Sequence, residues 1–520
     1  MIGNLFELNN QSKTINQEKL NLITLELITR ASADSYYTTE NENGTEYIYG
    51  TQLRNLAMSA LLETRTVLLA RTLTERNKFL KLIEDANVRI GQLNQASGLN
   101  LPQVQKPFFI HFDTKAAKGK QVNVKRSILL NDELANKVGK NKLGVRTGLM
   151  VELKSLNFLQ MVGLQAEVMK AFKDEYPENI NFDLSALEKK TSLIDSLYPK
   201  TAYQEMLGNN PIENELPPHL PTATISEDEF KAISSFEEFQ TYFINQTGKT
   251  DGITEFFAKS SADTGGEVAY KITRENFAED HANLVKQIDD KNRTFKIDLM
   301  IQPLITPPAA EERDGLPVGV GITAYREANG EIRILSVMGQ INTEATTNYL
   351  GSYYDKELEQ RILKMAGEEK IKNIFGMLPK DYIGPAGTDL MLNANRQYVA
   401  VSDLNPRMPA SFIALTWKDY LEKQGIKVDQ IANLGYRGRA VFEDYGELME
   451  FVKRKGWMVS KNNPKGVIPQ PSCVRPDGVD LIFVNCNFEE VQGMTKELES
   501  EMVEKTFTIN QETQKIALYL

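Results

Sequence analysis

The stretch GTDLMLNANRQYVAVSDLN, residues 387 to 405, constrains the fold more than any other part of this chain. Apolar and polar residues alternate on both sides of the polar break NANRQ, the pattern of two antiparallel strands joined by a turn. Side chains in a strand alternate faces, so Asp403 and Asn405 project together. With the turn centred on Arg396, Asp389 faces Asp403 across the pair, and the three polar groups share one face. Like charges opposed across a hairpin cost roughly 0.2–1 kcal/mol. A cation between them removes that cost, and two carboxylates with an amide carbonyl form an oxygen-only donor set suited to Mg²⁺. The competing reading is a strand end whose acids are simply solvated.

An upstream segment bears on that choice. FFAKSSADTGGEVAYKI places Lys259 at the end of an apolar strand, before a small-residue loop holding Gly265 and Gly266. Glycines allow close backbone approach, so successive N–H groups can cradle phosphate oxygens, and a lysine beside them supplies a point charge. The loop lacks the spacing G-x-x-x-x-G-K-[ST], so it is not a P-loop, and a plain glycine turn between strands is the alternative. Gly319, Gly321 and Ala324 fit G-x-G-x-x-A, but that fingerprint requires a helix after the glycines. Here ITAYREANGEIRI continues as strand and turn, which excludes a dinucleotide fold.

The composition sets outer limits. At 520 residues the prior is about three domains. A net charge of -10 argues against generic nucleic-acid binding. His111, His219 and His281 lie far apart, and the two cysteines, Cys473 and Cys486, do not have metal-ligand spacing, so neither a zinc site nor a histidine-based triad is expected. Two thiols in so long a chain fit a reducing compartment. No apolar run approaches the roughly 18 residues of a membrane span, and no secretory signal is visible, so the expectation is a cytoplasmic protein without membrane contact.

Along the chain, residues 1 to about 105 read as mostly helical, with a 3.6-residue rhythm through TQLRNLAMSALLETRTVLLARTLTERNKFLKLIEDANVRI. KPFFIHFD reads as a strand and LKSLNFLQMVGLQAEVMKAF as an amphipathic helix. Between them runs a basic stretch that includes Lys115, Lys118, Lys120, Lys125, Arg126, Lys137, Lys140, Lys142 and Arg146, either a solvated surface or a face for an acidic partner. The proline-rich 208–224 is an extended connection. Strands then dominate: TEFFAKSS, FKIDLMIQPLI, and a hairpin VGVGITAYREANGEIRILSVMGQ turning at ANGE. A single helix is expected over DKELEQRILKMAGEEKIKNIFGML, with Leu358, Ile362 and Met365 on one face. The last hundred residues alternate helix and strand. NNPKGVIPQPSCVRPDG reads as a loop, and so does GYRGRAVF, whose Tyr436, Arg437 and Arg439 are candidates for a substrate carboxylate. Lys453, Arg454 and Lys455 end a helix, where cations suit its dipole.

The order of these pieces resembles the ATP-grasp superfamily of carboxylate–amine ligases, over roughly residues 185 to 411 and most specifically in GPAGTDLM and DLNPRMP. The resemblance implies an α/β (α+β) fold with an ATP-grasp core of two α+β subdomains at 181–411. A helix-rich region at 1–180 precedes it, either a divergent form of the small α/β domain that usually stands there or an addition. A small α+β domain follows at 412–520. It implies ATP and Mg²⁺ as cofactors, with the ions held by Asp389, Asp403 and Asn405; aspartate stands where the family more often has glutamate before the asparagine. Arg407 matches the arginine that neutralises the transferred phosphoryl group, and Lys259 the lysine on the ATP phosphates. Ser260 to Val268, with Gly265 and Gly266, match the glycine-rich flap. The adenine hinge matches Gln302 to Ile305, including Leu304; Glu311 or Glu312 stands for the ribose acid, and Lys200 for the second nucleotide lysine. The tail KGVIPQPSCVRPDGVDLIFVNCNFEEVQGMTKELE is similar to pheganomycin-type peptide ligases. The reaction implied activates a carboxylate as an acyl phosphate and joins it to an amine of an amino acid or peptide. Three rivals stand beside it: nucleotide binding without turnover, a docking role for the N-terminal region toward a protein partner or a second copy, and phosphorylation of a small molecule without ligation.

Overall fold

A computed structural model describes residues 20–23, 60–61, 65–70, 73–104, 108–115, 123–127, 156–160, 193, 196–197, 200–208, 215–249, 252–261, 269–289, 298–342, 349–406, 409, 411–437, 440–441, 445–475, 478–501 and 503–504. The fold is mixed α/β with predominantly antiparallel sheets. It divides into two compact units, one built from Met1–Thr29, Ala33–Ser192 and Phe412–Ile509, the other from Arg30–Ser32, Leu193–Ser411 and Asn510–Leu520.

In the first unit, β1 (Leu20–Ile23), β2 (Arg65–Ala70), β3 (Phe108–Lys115), β4 (Asn123–Ser127) and β5 (Leu156–Gln160) form a sheet in the order β4-β3-β2-β1-β5. Only β3 and β4 pair antiparallel; the other pairs are parallel. The helical rhythm read across residues 51–90 therefore divides: RTVLLA is β2, and the helix α1 starts at Leu73 and runs to Ser97. A short apolar run has no period of its own, and a parallel strand is filled with such runs. LNFLQ, expected to be helical, is β5 for the same reason. The α1 face Ile83, Ala86, Ile90 and Leu93 is buried. Asn87 and Asn94 pin the chain after it, each exchanging two hydrogen bonds with the backbone of Val104 and Leu101 respectively, at 2.8–3.0 Å.

The second unit begins with α2 (Lys200–Gly208) and a four-stranded antiparallel sheet. Its strands are β6 (Ala223–Ser226), β7 (Glu255–Ser260), β8 (Ala269–Thr273) and β9 (Asp298–Pro303), in the order β6-β9-β7-β8. Helices α3 (Glu227–Ala232), α4 (Phe236–Thr247) and α5 (Phe277–Asp289) complete this half. Ser226 opens α3 with a reciprocal capping box to Glu229. Phe230, Phe236, Phe239, Phe243, Phe256 and Phe277 fill one core, with Phe239 and Phe256 edge to face at 5.2 Å. Each fully buried ring contributes about 1.5–3 kcal/mol of transfer free energy. His281 stacks on Phe230 and meets its carbonyl at 2.9 Å, so it is part of this core.

The other half of the second unit holds β10 (Gly319–Arg326), β11 (Ile332–Asn342), β12 (Tyr349–Asp355), β13 (Gly384–Leu392) and β14 (Tyr398–Asn405), in the order β14-β13-β10-β11-β12. The β10–β11 hairpin turns at ANGE as the sequence predicts, with Gly330 at φ 87°. The strand–turn reading of the decoy glycines holds, because Gly319 and Gly321 lie within β10. Between β12 and β13 the expected single helix is two, α6 (Lys356–Ala366) and α7 (Glu368–Gly376). Gly367 at φ 82° breaks it. Leu358 and Ile362 are buried, but the buried stripe continues to Ala366 and leaves Met365 44% exposed. Arg326, at the end of β10, donates to the carbonyls of Phe375, Gly376 and Leu378, at and just beyond the end of α7.

The C-terminal part of the first unit contains α8 (Phe412–Lys423), β15 (Gln430–Arg437), β16 (Ala440–Val441), α9 (Tyr445–Arg454), β17 (Gly466–Arg475), β18 (Gly478–Val484), α10 (Phe488–Glu501) and β19 (Val503–Glu504). Strands run in the order β15-β18-β17, and β16 pairs with β19. The proline-rich segment read as a loop is β17. It tolerates its prolines because it is an edge strand whose register breaks between Pro469 and Val474. Tyr436 and Arg437, also read as loop, end β15, while Arg439 lies outside the described residues. Lys453 and Arg454 do close α9. Among the described residues no helix is long and apolar enough to cross a membrane.

Candidate functional site

One face of the five strands β14-β13-β10-β11-β12 is apolar. Val320, Ile322, Ala324, Val337, Ile341, Leu390 and Leu404 there are at most 3% exposed. The pairings Gly321↔Asp389, Thr323↔Gly387 and Gly387↔Asn405 place small and polar residues together on the opposite face. Asp403 joins them two residues from Asn405, and Gln340 two residues from Met338, the partner of Gly321. A sheet with one apolar and one polar face puts its chemistry on the second.

The register of the β13–β14 hairpin follows the expected one only at its acidic end. Gly387↔Asn405 and Thr388↔Leu404 match a turn centred on Arg396, but Leu390↔Ala400 through Leu392↔Tyr398 are shifted by two. Asp389 thus lies opposite a bulge of three residues, Val401, Ser402 and Asp403. An even shift preserves the faces, so Asp389, Asp403 and Asn405 remain on one side. The Asn405 Nδ2 donates to Asp403 Oδ1 at 3.0 Å.

The bulge places the Val401 carbonyl outside the regular ladder, and the Lys259 ammonium donates to it at 2.8 Å. Lys259 is buried near the end of β7, beside the buried Ser260. Burial, and then the charge of Lys200, pull its ammonium down to about 8, while the Asp403 and Asp389 carboxylates oppose that change. Lys200 opens α2, where its backbone N–H donates to the Ser261 carbonyl at 2.9 Å. Its Nζ lies 3.6 Å from Asp403 Oδ2. Two ammonium groups and two carboxylates, distant in sequence, therefore meet at the polar face.

The sequence reading missed Gln340. Its Nε2 donates to Asp389 Oδ1 at 2.8 Å. The available signal was the G-x-G-x-x-A string already set aside as a decoy. A Cβ on Gly319 would stand 2.9 Å from Gln340 Oε1, and one on Gly321 would stand 3.4 Å from Asp389 Oδ1. The bare Gly319 makes room for this pair, while the contact at Gly321 is an ordinary one.

Other candidates occupy more ordinary positions. Gln302 is buried and donates to Thr222 Oγ1 at 2.9 Å, so its side chain supports the strand. The Leu304 N–H donates to the Glu255 carbonyl at 3.0 Å, and Ile305 follows at the end of β9. Glu311 and Glu312 are exposed in a short 3₁₀ turn, residues Ala310–Glu312. Arg407, Gly265 and Gly266 lie outside the described residues. Among the described residues no group of three or more His, Cys, Asp or Glu is placed to hold a metal. The donor set at the hairpin is instead two carboxylates and an amide, all oxygen ligands, which fits a hard cation such as Mg²⁺.

No family model and no curated protein matches the chain. Solved structures do resemble it at low identity. N5-carboxyaminoimidazole synthetase from Staphylococcus aureus, complexed with ADP, is 11% identical over 93% of this chain and 98% of its own, with a TM-score of 0.47. Biotin carboxylase from Campylobacter jejuni is 10% identical over 87% and 89%, with a TM-score of 0.45. The D-alanine–D-alanine ligase from Coxiella burnetii is 14% identical over 46% and 55%, at 0.28. All three TM-scores lie below one half and carry no argument about function.

Proposed function

We propose that the chain is an ADP-forming ligase of the ATP-grasp kind, with its nucleotide core at 181–411. It activates a substrate carboxylate as an acyl phosphate and joins it to an amine of an amino acid or peptide. The observation that carries this reading is the meeting of Lys259 and Lys200 with Asp389 and Asp403 on one polar sheet face. Two cations suit phosphate oxygens, and two acids beside them suit the counter-cation of a polyphosphate.

In this reading Lys259 and Lys200 hold phosphate oxygens of ATP, and Arg407 neutralises charge on the transferred group. Asp389, Asp403 and Asn405 would hold Mg²⁺, which when bound supplies positive charge at those oxygens. The substrate carboxylate attacks the γ-phosphorus and ADP departs; the amine then attacks the acyl carbon and inorganic phosphate departs. Phosphoryl transfer of this kind needs positioning and charge neutralisation more than a protein nucleophile. The acyl phosphate must be kept from water, the role that the resemblance assigns to residues 260–268. The similarity of the C-terminal tail to pheganomycin-type ligases is what supports peptide-type substrates in this reading.

The test is ADP and phosphate release by the full chain with ATP, Mg²⁺ and a panel of amino acids and short peptides, with mass spectrometry of the products. An amide product one water lighter than its two precursors supports the reading. ATP binding without ADP release across the panel contradicts it.

A further inference from the structure

We propose that Gln340 is a positioning residue for Asp389, and that Gly319 is bare so that Gln340 can reach it. The inference rests on the reading of Asp389 as an ion ligand and goes beyond it, because neither residue belongs to the ligand set.

A carboxylate has two oxygens with about four lone-pair directions between them, and its side chain rotates freely at a strand surface unless something fixes it. The amide N–H of Gln340 takes Asp389 Oδ1 at 2.8 Å. That bond holds one carboxylate oxygen of Asp389 and so restrains the rotation of the group. A neutral donor does this without competing for the ion as a lysine or arginine would. Such outer hydrogen bonds to a ligand typically change metal affinity by about 10–100-fold when removed.

The strand β10, which lies between the strands of the two residues, is shaped for the bond. The Gln340 carbon chain and Oε1 lie against Gly319, with Cβ and Cδ 3.7 and 3.6 Å from where a Gly319 Cβ would be. The Oε1 would be only 2.9 Å away, so an alanine there pushes the amide aside. Gly319 has no positive φ to explain its glycine. Its conformation is ordinary strand, and any residue could adopt it. The space taken by Gln340 is the physical reason that remains. Gly321, opposite Asp389, differs: a Cβ there would meet the Asp389 oxygen only at an ordinary contact of 3.4 Å.

The test uses Mn²⁺ as the probe ion, followed by electron paramagnetic resonance of free Mn²⁺ with the full chain and ADP. The chains compared are the wild type, Gln340→Leu, Gly319→Ala and the double variant. ADP binding without metal is measured alongside to report an intact nucleotide site. The expected result is Mn²⁺ binding about tenfold weaker in Gln340→Leu, with metal-free ADP binding unchanged. Gly319→Ala weakens Mn²⁺ binding when Gln340 is present and adds nothing in the Gln340→Leu background. Equal Mn²⁺ affinity in wild type and Gln340→Leu overturns the positioning role. An equal cost of Gly319→Ala in both backgrounds overturns the glycine argument. A wild type that binds no Mn²⁺ with ADP overturns instead the ion-ligand reading on which the inference stands.

Discussion

The ammonium of Lys259 donates to the carbonyl of Val401 at 2.8 Å, tying the end of β7 to the bulge of β14 across 142 residues of sequence. The bulge exists because β14 carries two residues more than β13 between the pairs Thr388↔Leu404 and Leu390↔Ala400. A local irregularity in one hairpin thus fixes the position of a cation supplied by another sheet.

That burial gives Lys259 a pH signature. Its native value of about 8 lies below the ordinary 10.5, so between these values the unfolded chain binds more protons than the native one. Stability contributed by this group therefore rises with pH across that window, and below about 8 the full cost of the buried charge is present. A bound phosphate favours the charged form. Nucleotide binding at about pH 8.5 should take up a fraction of a proton, and affinity should fall as pH climbs further. Calorimetry in two buffers of different ionisation enthalpy measures the uptake. The Lys259→Met variant should show neither the uptake nor the pH-dependent fall. Equal heats in both buffers for the wild type would count against the assignment.

Gly466 should accept no side chain. Its φ is 142°, and a Cβ there would stand 1.9 Å from the Trp457 carbonyl oxygen, which itself accepts the Val467 N–H. A backbone oxygen cannot swing away as a side chain can. Gly466→Ala is expected to destabilise the first unit by at least about 2–3 kcal/mol, combining the strained dihedral with the clash. Urea unfolding followed by tryptophan fluorescence reads this directly, and a midpoint unchanged from wild type would contradict the geometry.

Phe239 tests the core of the four-stranded sheet. It is fully buried among Phe230, Phe236, Phe256 and Phe277. Phe239→Ala should cost about 3–5 kcal/mol, the usual range for a buried ring replaced by alanine. Phe239→Leu should recover more than half of that loss. A loss under about 1 kcal/mol for the alanine variant would mean that the core collapses around the cavity.

The shared face of the hairpin acids was legible in the sequence, for a reason that the hairpin illustrates. Strand parity is local, so Asp403 and Asn405 share a face whatever the register, and Asp389 joins them under any even shift of the pairing. The two-residue shift in that register left the conclusion intact. Gln340 was not legible, because its relation to Asp389 runs across the intervening strand β10 and past a glycine whose meaning appears only with its neighbour in place. The N-terminal strand RTVLLA failed differently. Its apolar run of four, VLLA, has no period, and its neighbour α1 supplied a helical rhythm that reads backward into it. The prolines of β17 misled because the edge position that tolerates them is a property of the sheet, not of the segment.

The central claim is that Asp403 and Asn405 serve a nucleotide–metal site rather than a solvated strand end. The most direct measurement is Mg²⁺-dependent ADP formation by the wild type and by Asp403→Ala and Asn405→Ala, with circular dichroism confirming folded variants. The account predicts turnover in the wild type with a matched carboxylate and amine, and a loss of at least about 100-fold in each variant. Near-normal turnover in both folded variants would contradict it.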